Sequence, residues 1–129
     1  MNGVAVDLIA ALAVLQFLFF GFLVGRARGK YGVKAPAVTG HEIFERSYRV
    51  QMNTLELLVV FLPALYLAAR YWTSAWCVGL GAVYLIGRLI YWRAYVANPA
   101  NRALGFLLSM LPTMGLLLLA LLGIVQALI

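Results

Sequence analysis

Charged side chains are scarce in this sequence of 129 residues, in which 10 are basic and only 4 are acidic. Charged residues make up 11% of the chain and hydrophobic residues 65%, whereas soluble domains average about 25% and about 45–50%. A water-soluble globule of this size could not cover its surface with so few polar side chains. The composition therefore predicts an integral membrane protein.

Cysteine is almost absent, and the single residue Cys77 excludes an intramolecular disulfide. Since Cys77 lies in an apolar segment, we expect a small buried side chain without a reactive role. The sequence also lacks the spacings typical of a metal site, a glycine-rich phosphate loop or a serine–histidine–acid triad, so we predict no metal. No basic segment precedes the first apolar stretch, which argues against a cleaved signal peptide.

The net charge of +6 is unevenly distributed. Residues 26–34 carry four basic side chains, Arg93 and Arg102 flank a later loop, and Arg70 is isolated between them. Because basic residues accumulate on the cytoplasmic side of membrane proteins, we expect both termini outside and the first and third loops in the cytoplasm. We interpret the basic residues as determinants of membrane topology that contact anionic lipids, and not as a surface that binds nucleic acid. A bacterial inner membrane is the favoured location, with the endoplasmic reticulum as an alternative.

Hydropathy and helix signals predict four membrane-spanning helices, over residues 4–25, 40–69, 75–97 and 99–128. Each is long enough, at about 1.5 Å per residue, to cross a hydrocarbon core of about 30 Å. Because backbone groups in lipid must pair internally, we expect an all-α four-helix bundle that forms one domain over residues 1–129. Thr39 and Glu42 have capping-box spacing before the second helix. Asn98 before Pro99 predicts the start of the fourth.

Polar side chains form one stripe on the second helix, although this helix runs into an apolar segment. At 100° per residue, Arg49, Asn53 and Glu56 lie within a sector of about 60°. Ionisable groups at membrane depth are costly unless they pair or face a polar cavity, which makes this stripe a candidate functional site. The alternative is that its ion pairs are purely structural and fix the register of the helices.

A second stripe lies on the third helix, where Arg88, Tyr91 and Tyr95 share one face by the same arithmetic. Arg102 follows at the beginning of the fourth helix. Three helices therefore direct cations and hydrogen-bonding groups toward one region on the cytoplasmic side. In contrast, we expect Tyr84 and Trp92 to be packing residues.

These groups suit a small peptide-like ligand with two carboxylates and one amine. Arginine binds carboxylates through two parallel hydrogen bonds, Glu56 can accept from an ammonium group, and the amides of Asn53 and Gln51 can pair with peptide groups. If the ligand carried a thiol, Arg102 and the adjacent helix start would lower the pKa of that thiol and favour the thiolate.

Two motifs resemble the MAPEG family, the membrane-associated proteins in eicosanoid and glutathione metabolism. The first reads Phe44-Glu45-Arg46-x-Tyr48-Arg49-x-Gln51-x-Asn53-x-x-Glu56. The second reads Gly87-Arg88-Leu89-x-Tyr91-x-x-x-Tyr95 and is followed seven residues later by Arg102. The resemblance extends over nearly the whole chain, including four spans and a basic first loop.

The resemblance implies a homotrimer that binds glutathione at its subunit interfaces and conjugates it to a hydrophobic electrophile, with peroxidase activity as a further possibility. Glutathione would serve as co-substrate, and Arg102 would act in catalysis by stabilising its thiolate. The implied glutathione contacts within one subunit are Arg49, Asn53, Glu56, Tyr91 and Tyr95. Gln51 and Arg28 would contribute from a neighbouring subunit, and the electrophile would enter from the surrounding lipid.

The chain departs from the family pattern at two positions. Leu57 occupies a position where the motif has a tyrosine, and the proline that often follows the glutamate by three residues is found one turn later, at Pro63. Both changes affect the shape of the pocket. The alternative function is a non-catalytic membrane protein that binds or presents a lipid. A transporter is a distant third, because the sequence has no internal repeat.

Overall fold

The computed structural model describes residues 3–129, so residues 1 and 2 of the predicted domain lie outside the described part. Its four α-helices are α1 (Gly3–Tyr31), α2 (Glu42–Tyr71), α3 (Ser74–Ala97) and α4 (Ala103–Leu128). By length and composition, all four can cross a membrane. The predicted all-α fold with four membrane-length helices is confirmed.

The start of α2 differs from the predicted capping box. The cap is His41, whose Nδ1 accepts a hydrogen bond of 3.1 Å from the backbone N–H of Ile43. Glu45 accepts one of 3.0 Å from the N–H of Gly40, in place of the expected pairing between Thr39 and Glu42. The reason is local: the chain turns at Gly40, which has a φ of +144°, so helical dihedral angles begin only at Glu42.

The start of α4 was also predicted too early. Asn98 does act as a cap, since its Oδ1 accepts a hydrogen bond of 3.1 Å from the N–H of Ala100. However, this cap opens a 3-10 helix at Pro99–Asn101, and α4 itself begins at Ala103. Arg102 is therefore the residue that joins the two helices.

Two glycines bring α3 and α4 into close contact. A Cβ atom on Gly87 would lie 2.6 Å from the carbonyl carbon of Leu108, and one on Gly105 would lie 2.3 Å from the backbone nitrogen of Tyr91. No larger side chain fits between the two backbones at these positions. Small residues commonly permit such approaches in membrane bundles. The contact fixes Tyr91 directly beside the beginning of α4.

Away from the first loop, the bundle is filled by apolar side chains. The rings of Phe61 and Tyr84 stack with their centroids 3.8 Å apart, and both side chains are fully buried. Leu116 and Cys77 are buried in the same cluster. Cys77 and Tyr84 are therefore packing residues, as predicted. We call this half of the bundle the closed end.

The opposite half is the polar end, which carries the first loop and the connection between α3 and α4. Arg46 on α2 donates hydrogen bonds to the carbonyl oxygens of Val96 and Ala97, at 3.0 and 3.2 Å. Its guanidinium thereby satisfies carbonyl groups that the end of α3 leaves unpaired. Arg46 also pairs with Glu42. These contacts join α2 to the end of α3 next to the predicted site.

Candidate functional site

A cleft opens at the polar end, between α2, α3 and the beginning of α4. It has a volume of about 860 Å³. Its lining residues are Arg49, Asn53, Tyr91, Tyr95, Ala100, Arg102, Ala103, Phe106 and Leu107. The structure thus places five of the predicted site residues around one space: two from α2, two from α3, and Arg102 from the junction before α4.

Arg49 and Glu56 form an ion pair along the outer face of α2. Their side chains approach to 3.2 Å although they are separated by seven residues, and they are 49% and 61% exposed. An ion pair with this exposure contributes at most about 1 kcal/mol to stability. Arg49 and Glu56 can therefore give up this ion pair and bind a charged ligand instead, at little cost in stability.

Asn53 and Tyr91 form the inner wall of the cleft, and Arg88 lies behind both. The Arg88 side chain is 0% exposed, whereas that of Tyr91 is 3% exposed. The Arg88 guanidinium donates a 2.7 Å hydrogen bond to Asn53 Oδ1 and lies 4.3 Å from the centre of the Tyr91 ring. The expectation that Arg88 faces the ligand region is thus wrong: Tyr91 and Tyr95 of the same stripe reach the cleft, but the Arg88 side chain is packed between α2 and α4.

Tyr95 and Arg102 form the outer wall. The Tyr95 ring stacks on that of Tyr91, with 5.4 Å between ring centroids. Arg102 is exposed, and its Nη1 donates a 3.1 Å hydrogen bond to the carbonyl oxygen of Pro99. Within residues 3–129 the Arg102 guanidinium makes no other hydrogen bond or ion pair, so it remains available to an anion in the cleft.

Gln51 and Arg28 are not brought to this cleft. Gln51 points toward α1, where its Nε2 would lie 2.9 Å from a Cβ atom placed on Gly21. Arg28 donates a 2.6 Å hydrogen bond to the carbonyl oxygen of Ala37 and lies over the Phe44 ring. In this chain the two residues lie away from the cleft, so their predicted role across a subunit interface stays a prediction.

An apolar groove of about 330 Å³ adjoins the cleft and runs between α2 and α4. It shares Asn53 and Phe106 with the cleft. Its other lining residues are Glu56, Leu57, Val60, Met110, Thr113, Met114 and Leu117. Leu57 is only 5% exposed and makes the wall apolar where the family motif has a tyrosine.

Sequence reasoning missed the contribution of α4 to this groove. Phe106, Met110 and Met114 follow each other at intervals of four residues, so they share one helix face. This spacing could have identified the face, but without a polar residue it resembles any other membrane-facing or packing surface. Among residues 3–129, no group of three or more histidine, cysteine, aspartate or glutamate side chains is placed to hold a metal ion.

Comparison with known proteins identifies the family. A sequence model of the MAPEG family matches residues 6–122. The chain belongs to the MAPEG family. An uncharacterized protein of Synechocystis sp. is 50% identical over 91% of this chain and 85% of its own length. Together with the four apolar helices, membership of this family makes the chain an integral membrane protein.

Two further relatives carry names that describe an activity. Human microsomal glutathione S-transferase 2 is 36% identical over 98% of this chain and 86% of its own length. Leukotriene C4 synthase of Cavia porcellus is 36% identical over 84% of this chain and 78% of its own length. The resemblance inferred from the two motifs is confirmed.

Proposed function

We propose that this MAPEG protein is a glutathione-dependent membrane transferase that joins glutathione to a hydrophobic electrophile. One observation carries the proposal: a cleft with two arginines, an amide and two tyrosines adjoins an apolar groove, with which it shares Asn53 and Phe106. A charged tripeptide and a lipid-soluble reactant can therefore lie side by side at their boundary. The names of the transferase and synthase relatives support the same reaction class.

In this proposal each polar group has a counterpart on glutathione. Arg49 binds a carboxylate, Glu56 accepts from the ammonium group, and Asn53 and the two tyrosines donate hydrogen bonds. When the exposed ion pair between Arg49 and Glu56 breaks, both charged groups become available to glutathione. Holding the tripeptide in one orientation beside the second reactant lowers the entropic part of the barrier.

Arg102 is the proposed catalytic residue. Its positive charge at the rim of the cleft favours the thiolate over the thiol, and the thiol proton is released to solvent. With an aryl halide, the thiolate sulfur forms a bond to the ring carbon, and the carbon–halogen bond breaks as halide leaves with the electron pair. With a lipid hydroperoxide, two glutathione molecules would give the alcohol, water and glutathione disulfide.

We also propose that the functional unit is a homotrimer. The support is the position of Gln51 and Arg28, which lie on a face away from the cleft of their own subunit. In a closed ring of identical subunits, such a face can complete the cleft of a neighbour. The basic residues at the polar end support an orientation with this end in the cytoplasm and both termini outside, for which a bacterial inner membrane is the proposed host.

A calorimetric titration of the purified protein in detergent with glutathione tests the proposal. We expect saturable binding, with weaker binding after Arg49→Ala and unchanged binding after Arg93→Ala, an exposed arginine outside the cleft. A folded protein that does not bind glutathione at millimolar concentration would contradict the proposal. That result would favour the alternative, a membrane protein that binds or presents a lipid in the apolar groove.

A further inference from the structure

Arg88 is the largest fully buried side chain in the described part of the protein, and its contacts join three helices. Its Nε donates a 2.8 Å hydrogen bond to Ser109 Oγ on α4. Its Nη1 donates to Asn53 Oδ1 at 2.7 Å and to Thr54 Oγ1 at 3.2 Å, both on α2. The hydrogen bonds of Arg88 therefore reach Asn53, which also lines the cleft.

No carboxylate within residues 3–129 pairs with this guanidinium, and its Nη2 has no hydrogen-bond partner there. In the described part of the chain, the groups that contact this charge are neutral oxygens and the face of the Tyr91 ring. Burying a cation in this way is expensive. If the three helices only needed to be held together, apolar side chains would achieve the same packing at lower cost.

The contact with Arg88 determines which end of the Asn53 amide enters the cleft. A guanidinium group has only N–H donors, so the atom facing it must be the amide oxygen. With Oδ1 occupied by Arg88, the NH2 group is the end left for the cleft. Asn53 therefore presents donors, which suit a carboxylate, and it does not present an acceptor.

The same guanidinium also supports the aromatic wall. It lies 4.3 Å from the centre of the Tyr91 ring, and Tyr91 in turn stacks on Tyr95. A cation over a ring face is an attractive interaction that restrains the ring. Arg88 thus contacts two cleft residues from behind while having no exposed surface of its own.

We infer that Arg88 is a positioning residue of the glutathione site: it turns the Asn53 amide so that its NH2 donates to a ligand carboxylate, and it restrains Tyr91. This inference rests on the proposed function for the identity of the ligand. The two α2 partners of Arg88 differ in this respect: Asn53 lines the cleft and can reach the ligand, whereas the buried Thr54 contacts Arg88 and the carbonyl oxygen of Val50. Arg88 itself touches neither the ligand nor the reacting atoms.

A double-mutant cycle tests the coupling. Arg88→Lys keeps the charge but loses the fork of donors, so we expect glutathione affinity to fall by about tenfold or more. In an Asn53→Ala background, the same change should lower affinity less than about twofold. Turnover at saturating glutathione should change little, because a contact made equally in the ground state and transition state alters KM and leaves kcat intact.

Thr54→Val is the matched control. It removes another oxygen that accepts from Arg88 Nη1 and leaves the Asn53 contact in place, so glutathione affinity should stay within about twofold of the unaltered protein. If Arg88→Lys weakens binding equally with and without Asn53, the effect of Arg88 does not pass through the Asn53 amide and the inference is wrong.

Asn53→Asp provides a second test that does not depend on how well Arg88 variants fold. The carboxylate keeps an oxygen toward Arg88 and supplies the missing countercharge, so the protein should be at least as stable to heat. Glutathione binding should nevertheless fall by more than about tenfold, since the donor is replaced by an acceptor. An Asn53→Asp protein that binds glutathione normally would show that the NH2 group is not used.

A measurement without ligand separates this inference from the proposed function. In protein labelled with ¹⁵N at asparagine, the Asn53 side-chain signals can be assigned from their loss in Asn53→Ala. Arg88→Lys should shift or broaden these signals, whereas Thr54→Val should leave them in place. Unchanged signals in Arg88→Lys would overturn the positioning role even if glutathione binds, and the expected shift would support it even if glutathione does not.

Discussion

The closed end and the polar end of this bundle are built from the same four helices but leave different surfaces. At the closed end, Phe61 and Tyr84 stack directly and the interior is filled. At the polar end, α3 and α4 approach closely at Gly105, but an open cleft lined by polar and aromatic side chains remains beside this contact. The comparison indicates that packing at the closed end supports the fold, whereas the polar end leaves the open space that the proposed function assigns to a ligand.

The largest effect on stability is expected from the closed end. Phe61→Ala removes a fully buried ring and should lower the free energy of unfolding by about 3–5 kcal/mol. Among molecules that remain folded, glutathione affinity should be unchanged, because Phe61 does not line the cleft. Thermal unfolding in detergent measures the first effect and calorimetry the second. Val59→Ala, at a 68% exposed position of the same helix, serves as the control and should cost little.

The largest effect on activity is expected from the polar end. Arg102→Ala should lower the rate of conjugation with a model aryl halide by about 10²–10³-fold, the loss typical of a group that stabilises a developing or resident anion. The variant should unfold at the same temperature as the unaltered protein, since the Arg102 side chain is exposed and, within residues 3–129, makes a single hydrogen bond to the backbone. Conjugation at the original rate would exclude Arg102 from the mechanism.

An intermediate effect, on both stability and glutathione binding, is expected where α3 and α4 touch beside the cleft. In Gly105→Ala the added Cβ atom would lie 2.3 Å from the backbone nitrogen of Tyr91. Such overpacking lowers the free energy of unfolding by about 1–3 kcal/mol. Displacement of Tyr91 should also weaken glutathione binding. Gly79→Ala is the matched control, since no atom lies within 4 Å of its added Cβ, and it should be neutral or slightly stabilising in thermal unfolding.

The smallest effect on stability is expected from the exposed ion pair. Glu56→Gln breaks the contact with Arg49 and should change the free energy of unfolding by less than about 1 kcal/mol. Glutathione affinity should fall more clearly, because the ligand ammonium loses its acceptor. A loss of stability without a loss of affinity would mean that the pair is structural, which is the alternative that the sequence leaves open.

Helical periodicity predicted much of the cleft. Arg49, Asn53, Tyr91 and Tyr95 share faces that a spacing of 100° per residue identifies, and short connections bring those faces to one end of the bundle. Periodicity could not show that Arg88 lies behind Asn53. An angle on one helix does not reveal whether the facing space is an open cleft or a neighbouring helix.

Other features depend on information that lies outside a single helix. His41 replaces Thr39 as the cap because the backbone turns at Gly40, which is a property of the loop conformation. The apolar groove could not be recognised from Met110 and Met114 alone, since lipid-facing and ligand-facing apolar residues look alike in sequence. The proposed roles of Gln51 and Arg28 require a second copy of the chain.

A structure of the purified protein with bound glutathione tests the central claim most directly. The account predicts glutathione in the cleft, with a carboxylate at Arg49, a hydrogen bond from the Asn53 NH2 group to a carboxylate oxygen, and the sulfur facing Arg102. The sulfur should lie at the boundary with the apolar groove lined by Leu57 and Phe106. An empty cleft at saturating glutathione, or glutathione bound elsewhere, would contradict the account.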